Sequence, residues 1–582
     1  MALGISACSS PLPDSVVVGS SASVGWAHSL TSTNTASTDG ATPGNADVAA
    51  MTRSQFAEVV EGAVEVDESF GTVTIVDPES LTVRYELAEP VWSDGIPVDA
   101  ADLLLAWAAG SNVPGTGSLR VGSDSGTDDD DGAAEPLTVF DSVDSGLRDS
   151  IEVVGYDEFE RWIEVRFIHP VADWRTALDV AVPAHVVGQM AFDLDDPMEA
   201  KQAIITVIDE RDEAALATIA EVWNSGFDLP QGTGEIAPEL LLSSGPYRIE
   251  EVDQSRTDAQ AVRLVVNNEY TGFPTGEYER ITLTQMTASD PLAELGRSID
   301  VVQVPPTDDN WERIRDLERV DYGVSTTHTG SMWALLLNSD RGEFTWLSAR
   351  ETFLRAVPQA DLASAGAGRW TDAYQSTSAV VFSPDMPGYQ IALEDAGFND
   401  TLGEQVSGDE AAQERSEAGV EDGAEICVLY DTDERFAADA FGALQGGVAE
   451  AGWEVRDCGT DDLQSELDEG SAWDAVLTTI PVPVSADQVQ VQWGTDGASL
   501  LAGGGDEERD DLIEALGRAA DEYQARDIRV GIEASIVAEA VVMPLSMQPV
   551  VTINERGIDS VRPRAGDTAS VTANAVEWSV PE

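Results

Sequence analysis

The alternation of hydrophobic and polar residues is clearest near position 85. Val83, Tyr85 and Leu87 alternate with polar residues, which predicts a β-strand with one buried face. Residues 93–95 read Ser-Asp-Gly, a composition typical of a tight turn. The pattern therefore predicts a strand followed by a turn that is complete before position 98.

A helical pattern follows this turn and runs to Trp107. Asp99 is placed to cap the helix, with the acidic Asp102 at the third helical position. Val98 and Leu103 have the spacing of a hydrophobic staple, in which two apolar side chains pack across the start of a helix. The whole segment predicts a strand, a turn and a capped helix.

Other stretches of the 582-residue chain show weaker patterns. Residues 16–18 predict a first strand, and residues 20–50 are rich in Ser, Thr, Asn and Gly with little periodicity. Residues 60–180 are rich in strand patterns, whereas residues 278–540 alternate strands with helices. The length exceeds that of one ordinary core, so we predict an α/β protein with two or three domains.

Two acidic segments interrupt this order. Residues 124–131 lack the ligand pattern of a calcium-binding loop, and we predict a solvated loop there. Residues 403–424 are acidic and rich in Gly and Ser, which predicts a surface insertion.

The chain as a whole is strongly acidic. Its 107 Asp and Glu residues outnumber 31 Lys and Arg residues, giving a formal charge of −76, and Lys201 is the only lysine. Such a field repels nucleic acids and anionic membrane surfaces, so we expect neither as a partner. An acidic surface attracts cationic ligands, but its more general effect is solubility.

The sequence carries no signature of the common catalytic or metal sites. Its four histidines form no His-Glu-x-x-His motif, and its three cysteines form no Cys-x-x-Cys motif. A Gly-x-Ser-x-Gly elbow, a P-loop and a Gly-x-Gly-x-x-Gly turn before a helix are also absent. We therefore predict a binding protein rather than an enzyme, with no metal and no cofactor.

Several segments together resemble the family 5 extracellular solute-binding proteins, which are the oligopeptide and dipeptide receptors of ABC importers. The strand, Trp-Ser-Asp-Gly turn and helix of residues 83–107 are similar to one characteristic segment of that family. Further similar segments follow in the family's order at residues 244–249, 264–270, 296–301, 333–338 and 350–357. The resemblance covers the chain from about position 14 onward.

The resemblance implies a two-lobed α/β fold of the periplasmic-binding-protein type II, in its large peptide-receptor cluster. Lobe one is expected to be discontinuous and to carry a β-rich elaboration. The implied parts are a tether at 1–14, lobe one at 15–55, the elaboration at 56–180, lobe one again at 181–277, lobe two at 278–540 and a C-terminal return to lobe one at 541–582.

The resemblance also implies a function. The protein is expected to capture short peptides between its lobes and to deliver them to an ABC permease in the membrane. Relatives with this scaffold bind nickel complexes, haem, oligosaccharides or opines, so a receptor for another small solute is an alternative. A surface protein that has lost transport is a second alternative. In each case we expect a monomer.

Aromatic residues beside polar loops are candidates for lining a ligand cleft. Trp26 and His28 lie just after the first predicted strand, and the alternative for Trp26 is a ring that covers the edge of a lobe. Trp333 lies at the start of a buried strand and faces either the cleft or the core. Trp493 follows a polar loop and is a further candidate.

Peptide receptors of the resembled family hold the ligand main chain as an added strand and pair its α-amine with an acidic side chain. That acidic residue lies after a strand, within a turn similar to Trp-x-x-Asp-Tyr-x-Asp-Pro. The corresponding strand is predicted at residues 473–480, and the residues that follow lack this motif. Asp487 is the nearest acidic candidate for the amine.

Residues 5–8 read Ile-Ser-Ala-Cys and resemble a bacterial lipobox, in which the cysteine is acylated and becomes the first mature residue. Only seven residues precede Cys8, too few for the apolar core of a signal peptide. Either the start is truncated or Cys8 is accidental, and the Ser-rich stretch after it favours truncation. We expect a lipid on Cys8 to anchor the protein to the outer face of the cell membrane.

Cys427 lies in a predicted strand, Cys458 ends the next one, and a helical pattern separates the two. This order is a βαβ unit whose parallel strands can be neighbours. An exported protein meets an oxidising environment, so we predict a disulfide between the two cysteines. Two unpaired buried thiols are the alternative.

Overall fold

The computed structural model describes residues 12–60, 63–78, 81–111, 140–143, 145–157, 161–230, 232, 234, 236–256, 259–286, 290–468, 473–495, 497, 505–566 and 569–581. Cys8 and the acidic segment 124–131 lie outside these residues.

The strands of the described chain form one large mixed sheet, one four-stranded sheet and one hairpin. They are β1 (Val17–Trp26), β2 (Ala57–Val60), β3 (Ala63–Val66), β4 (Gly71–Asp77), β5 (Thr82–Leu87), β6 (Ser150–Asp157), β7 (Trp162–Phe167), β8 (Tyr247–Arg256), β9 (Ala259–Val266), β10 (Tyr278–Gln285), β11 (Val301–Val304), β12 (Gly323–Leu337), β13 (Ala424–Tyr430), β14 (Trp453–Asp457), β15 (Ala475–Pro481) and β16 (Val542–Asn554).

The helices cover the faces of these sheets. They are α1 (Pro43–Thr52), α2 (Ala100–Ser111), α3 (Ala184–Phe192), α4 (Pro197–Glu210), α5 (Glu213–Ser225), α6 (Pro291–Glu294), α7 (Asp308–Glu318), α8 (Leu347–Ala356), α9 (Gln359–Ala367), α10 (Tyr389–Asp395), α11 (Phe398–Thr401), α12 (Gly408–Glu417), α13 (Arg435–Ala449), α14 (Leu463–Asp468), α15 (Ala486–Trp493), α16 (Glu507–Gly517) and α17 (Glu522–Glu539).

The segment with the clearest sequence pattern folds as predicted, into β5, a turn and α2. Asp99 Oδ1 accepts the backbone N–H of Ala101, and Asp102 Oδ2 accepts the backbone N–H of Asp99. These two bonds satisfy donors at the helix start that have no partner within the helix. Val98 and Leu103 are completely buried, as expected for a hydrophobic staple.

The large sheet extends through both lobes in the order β14-β13-β15-β12-β16-β11-β1-β10-β9-β8. β13, β14 and β15 belong to lobe two, and the strands from β11 to β8 belong to lobe one. β12 and β16 run through both. β10, which covers residues 278–285, pairs with β1 and β9. The lobe boundary at 278 stays a prediction.

Four of the hydrophobic cores follow the same division, and a fifth combines Val302 of β11 with Trp370 and with Val551 of β16. One core lies in lobe one around Trp26 and Tyr247, and two cores cover the opposite faces of the lobe-two sheet. A fourth core joins the four-stranded sheet to α2 and to the helices α3 to α5. Apolar residues of α4 and α5, up to Phe227, pack into this core, and the end of the elaboration at 180 stays a prediction.

Two segments are more ordered than their composition predicts. Within residues 20–50, β1 continues to Trp26, and α1 begins after Thr42, whose hydroxyl caps the helix by accepting the Asn45 backbone N–H. Within residues 403–424, α12 forms and Ala411 packs into a lobe-two core. Small apolar residues among many acidic ones gave too weak a pattern to predict this packing.

The βαβ unit of lobe two forms as predicted. β13 and β14 are parallel neighbours, and α13 lies between them in sequence. The structure joins Cys427 to Cys458, with the Cα atoms 5.7 Å apart. This separation lies within the range that a disulfide spans.

Candidate functional site

The two strands that connect the lobes are irregular at one level. β12 and β16 pair along most of their length, but the register shifts between His328 and Met332 and again directly after Trp333. Gly330 lies inside this stretch with φ 82°, a left-handed conformation that favours glycine. We call this stretch the hinge, because the regular pairing that would keep the lobes rigidly connected is interrupted there.

A cavity of about 390 Å³ opens beside the hinge. It is lined by β12, the loop before α10, β16 and the segment after β16, namely Ser325, Thr326, Thr327, His328, Ala373, Gln375, Asp385, Met547, Val561, Arg562 and Pro563. His328 Nδ1 accepts the Gly330 backbone N–H, so the ring proton is on Nε2, which donates to the Asp385 carboxylate. The cavity therefore offers hydroxyl and charged groups to a polar ligand.

The second part of the candidate site is a group of polar residues around Arg53, which follows α1 in lobe one. Arg53 Nη2 donates to the Thr35 hydroxyl, and Nη1 lies 3.5 Å from Asp179 Oδ2. Among the described residues, this Nη1 has no hydrogen-bond acceptor. Burial lowers the pKa of Arg53. Thr35 and Asp179 line two adjoining cavities of about 460 and 260 Å³.

The packing of Gly245 against the end of α1 explains why the family-like Ser-Gly-Pro-Tyr segment has a glycine at this position. Its backbone N–H and that of Ser244 both donate to the carbonyl of Thr52 at the end of α1. A Cβ on Gly245 would lie 2.6 Å from the Arg53 backbone nitrogen, closer than side chains pack. Only glycine fits there, so this segment sets the position at which Arg53 leaves the helix.

A further charged residue, Arg529 on α17, is partly buried outside these cavities. Its guanidinium donates to the carbonyl oxygens of Val381, Pro483 and Val484 at 3.3, 2.8 and 2.9 Å. Desolvation lowers the pKa of Arg529 to about 10, and the negative charge of Asp173 opposes this shift. Arg529 is only partly buried, and with a pKa near 10 it keeps its positive charge at neutral pH.

Asp173 lies in the segment between β7 and α3. Its side chain keeps contact with solvent, yet nearby protein desolvates the carboxyl group and raises its pKa, and Arg529 acts in the opposite direction. The neighbouring Trp174 carbonyl accepts the Tyr85 hydroxyl at 2.5 Å. Because Tyr85 lies on β5, this bond holds the segment that carries Asp173 beside that strand.

The structure places the five predicted ligand-lining residues in separate surroundings. Trp26, Trp333 and Trp493 lie in three different cores and are at most 4% exposed. His28 and Asp487 are exposed. The ligand-binding roles of these five residues stay predictions, and the three indole rings present no open face to a cleft.

The buried tryptophans have clear structural contacts. Trp26 Nε1 donates to Asp47 Oδ2 at 2.6 Å inside lobe one. The ring of Trp333 stacks on Phe436, with centroids 4.5 Å apart. The carbonyl of Trp493 accepts the Arg509 Nε–H at 2.7 Å. Residue type suggested these rings, but only tertiary packing shows that they face inward.

Sequence reasoning missed Arg53, Asp173, Asp179, Arg529 and the His328–Asp385 pair. Arg529 illustrates why. Arg526 lies one turn earlier on the same helix, and no local feature of the sequence distinguishes the two arginines. Only the fold shows that Arg526 pairs with the adjacent Asp527 whereas Arg529 bonds to carbonyl groups. The feature that distinguishes these two arginines is therefore their tertiary contacts, which the sequence does not show.

Two properties of the described residues bear on the kind of site. No group of three or more His, Cys, Asp or Glu side chains in them has an arrangement that could hold a metal ion. None of the helices described has both the length and the apolar character needed to cross a membrane.

Two lobes connected by a pair of hinged strands, with polar cavities around them, define a two-lobed solute-binding protein. The family model described as bacterial extracellular solute-binding proteins, family 5 Middle, matches residues 76–480. The chain belongs to this family.

Similar proteins agree with this assignment. An uncharacterized lipoprotein of Mycobacterium tuberculosis is 29% identical over 283 residues, which cover 47% of this chain and 44% of the relative. The chain thus spans less than half the length of this curated relative. A periplasmic EDTA-binding protein, EppA, superposes with a TM-score of 0.76 at 18% identity, covering 97% of both chains.

The oligopeptide-binding protein AppA of Bacillus subtilis, solved with a nonapeptide, superposes with a TM-score of 0.59 at 14% identity. The match covers 97% of this chain and 99% of AppA. At these identities the structural likeness shows the fold, a mixed α/β architecture with two lobes, and it confirms the predicted fold class.

Proposed function

We propose that the chain is the solute-binding component of an ABC importer, which captures a short peptide between its lobes and delivers it to a membrane permease. The observation that carries this proposal is the β12–β16 pair, which connects both lobes and is irregular at Gly330, beside a polar cavity. Such a molecule closes on its ligand by bending at the connecting strands.

Short peptides are the first ligand class to test. The sequence segments resemble those of peptide receptors, and the neighbour AppA holds a nonapeptide. A non-peptide solute is the second candidate, favoured by the missing acidic turn after β15 and by the description of the neighbour EppA as EDTA-binding. Asp487, at the exposed start of α15, is the proposed partner of an amine only in the first case.

The proposed location is the outer face of the cell membrane, with a lipid on Cys8 as the anchor. The description of the mycobacterial relative as a lipoprotein supports this proposal. The test expresses a precursor with its native upstream sequence and measures the intact mass of the mature protein. Acylated Cys8 at the N-terminus is expected, and an unmodified Cys8 or cleavage elsewhere contradicts the anchor.

The proposed capture of a solute is tested on the full chain in two steps. Mass spectrometry identifies any small molecule that co-purifies with the protein. The refolded, solute-free protein is then titrated with a random pool of tri- to pentapeptides and, separately, with oligosaccharides, while X-ray scattering follows its radius of gyration. Peptide binding with compaction is expected. Binding of oligosaccharides alone, or a non-peptide molecule that co-purifies, favours the second candidate. No co-purified molecule, no binding and no compaction together contradict a receptor.

A further inference from the structure

Ala367 and Trp370 are three residues apart in sequence, but they pack into different cores. Ala367, at the end of α9, belongs to the lobe-two core that also contains Leu477 of β15. Trp370 belongs to the core that contains Val302 of β11. Gly368 turns the chain between them with φ 52°, a conformation that favours glycine. The chain thus leaves a core of lobe two and inserts one aromatic side chain into the core beside β11.

The first turn of α7 binds this tryptophan. Trp370 Nε1 donates to the carbonyl oxygen of Thr307, the residue that caps α7, over 2.8 Å. The ring of Trp311 meets that of Trp370 edge to face, with the centroids 4.6 Å apart. α7 is itself held beside β11, because its Ile314 packs into the same core as Trp370. The contact therefore joins a helix anchored beside β11 to a segment anchored in lobe two.

Two ion pairs flank the tryptophans. Arg369 Nη2 donates to Glu312 Oε1 over 2.6 Å, and Arg435 Nη2 lies 2.8 Å from Asp308 Oδ2. The two arginines come from the ends of α9 and α13 that face α7, and both carboxylates belong to α7. We use the name latch for all of these contacting residues, namely Thr307, Asp308, Trp311, Glu312, Arg369, Trp370 and Arg435.

The latch is directly connected to the hinge. Five residues after Trp370, the carbonyl of Gln375 accepts the backbone N–H of Met547 over 2.8 Å, and Ser376 forms a β-bridge with Ser546. Both partners lie on β16, and Gln375 also lines the cavity beside the hinge. Because the latch lies beside the hinge strands, bending of these strands moves its two halves relative to each other. Its short contacts therefore fit one arrangement of the lobes.

That arrangement leaves the hinge cavity accessible to solvent. Asp385 and Arg562 line the cavity, and their side chains are 34% and 73% exposed. A solute can therefore enter the cavity while the latch is formed. Closure of the lobes over the solute has to change the distances across the latch.

We propose that the latch holds the lobes in the open arrangement and that its contacts separate when the lobes close. This inference rests on the proposed function, because it describes what opposes the closure of a solute-binding protein. A solute then binds with an apparent affinity that is reduced by the free energy needed to open the latch. The exposed ion pairs suit this role, since such pairs contribute little each and can be broken by the binding of a solute.

The test reverses the charges of one latch pair in the full, refolded, solute-free chain. Glu312→Arg and Arg369→Glu each place like charges together, so each variant should close more often and have a smaller radius of gyration by X-ray scattering. The double variant Glu312→Arg/Arg369→Glu restores an attractive pair and should return to the wild-type radius. Each single variant should also bind the random tri- to pentapeptide pool roughly 2- to 5-fold more tightly than the wild type.

Two further variants separate the latch from general damage. Trp311→Ala removes the aromatic contact without changing charge, and it should shift the radius and the affinity in the same direction as the charge reversals. Arg313→Gln is the matched control, because Arg313 is an exposed residue of the same helix whose partner, Asp290, caps α6 beside β11. It should behave as the wild type does. Thermal unfolding confirms that each variant is folded before it is measured.

The outcomes distinguish the latch from the receptor. An unchanged or larger radius in both charge reversals and in Trp311→Ala would show that the latch does not hold the lobes open. A smaller radius that the double variant fails to restore would also contradict it, as would compaction without a gain in affinity when the wild type binds the peptides. If the radii shift as expected but no protein binds the peptides, the latch stands and peptide capture fails.

Discussion

Lys201 donates from Nζ to Asp102 Oδ2 over 2.8 Å, and both side chains are almost completely buried. The other oxygen of Asp102 accepts the Trp92 indole N–H and the Ala184 backbone N–H. Burial acts to lower the pKa of Lys201, but Asp102 and Asp99 outweigh it and the net shift is upward. One carboxylate thus connects α2, α3, α4 and the turn after β5.

Replacing Lys201 should destabilise the protein strongly. Lys201→Met leaves the negative charge of Asp102 buried without its cation, and breaking a buried pair in this way costs about 3–5 kcal/mol. The free energy of unfolding in urea measures this loss. The control is Arg319→Met, which removes an exposed pair with Asp316 and should cost less than about 1 kcal/mol. Equal losses in the two variants would mean that the buried pair contributes no more than a surface one.

The Lys201 pair shows how far sequence reasoning reaches. The strand, turn, cap and staple around Asp99 are encoded in neighbouring residues, and each was predictable from its local chemistry. The partner of Asp102 was not, because it lies 99 positions away and only the packing of α4 against α2 brings it near. Family-like segments in a fixed order made the two-lobed fold predictable despite such distant contacts.

The candidate site was less predictable than the fold. Trp26, Trp333 and Trp493 were chosen by residue type, but the sequence does not say which face of a strand or helix meets a cleft. Polar groups such as Arg529 can be identified only from the fold, because residues distant in sequence supply their hydrogen-bond partners. The irregular hinge likewise depends on the register between β12 and β16, which no local pattern specifies.

Glu533 should give the protein a distinctive pH dependence. Burial raises the pKa of this carboxyl group to about 7, although the backbone N–H groups of Val380 and Val381 favour the charged form. An unfolded glutamate titrates near about 4.3. The folded state therefore binds the proton more tightly, and its stability falls as the pH rises from about 4.3 through 7. Above pH 7 this loss reaches about 4 kcal/mol, at about 1.4 kcal/mol per pKa unit.

Glu533→Gln tests this dependence, because the amide cannot ionise. The unfolding free energy of the variant minus that of the wild type should increase between pH 4.5 and pH 8. Glu522→Gln, an exposed change at the start of the same helix, provides the baseline for any general effect of removing a carboxylate. A constant difference across this pH range for Glu533→Gln would show that Glu533 has an ordinary pKa.

Cys427 and Cys458 should be bridged in the purified protein. Alkylation of the denatured, unreduced chain followed by peptide mapping should modify neither cysteine. Their sequence separation of 31 residues predicts that the bond stabilises the fold by about 3–4 kcal/mol through the lost entropy of the unfolded chain. The double variant Cys427→Ala/Cys458→Ala should lose about this amount, and alkylation of either residue in the wild type would contradict the bridge.

Added salt should stabilise the protein at neutral pH. Salt weakens attractive pairs such as Arg313 with Asp290 as well as repulsion between carboxylates, so the sign of its effect shows which is larger. Even if every one of the 31 basic residues were paired, 76 of the 107 acidic residues would have no basic partner, and repulsion should prevail.

Because the Debye length is about 10 Å at 0.1 M, most of this repulsion should be screened by 0.5 M sodium chloride. The melting temperature should therefore rise between low salt and 0.5 M, with potassium chloride as a check against ion-specific binding. A flat or falling melting temperature would mean that local ion pairs, rather than net charge, dominate the electrostatic energy of the fold.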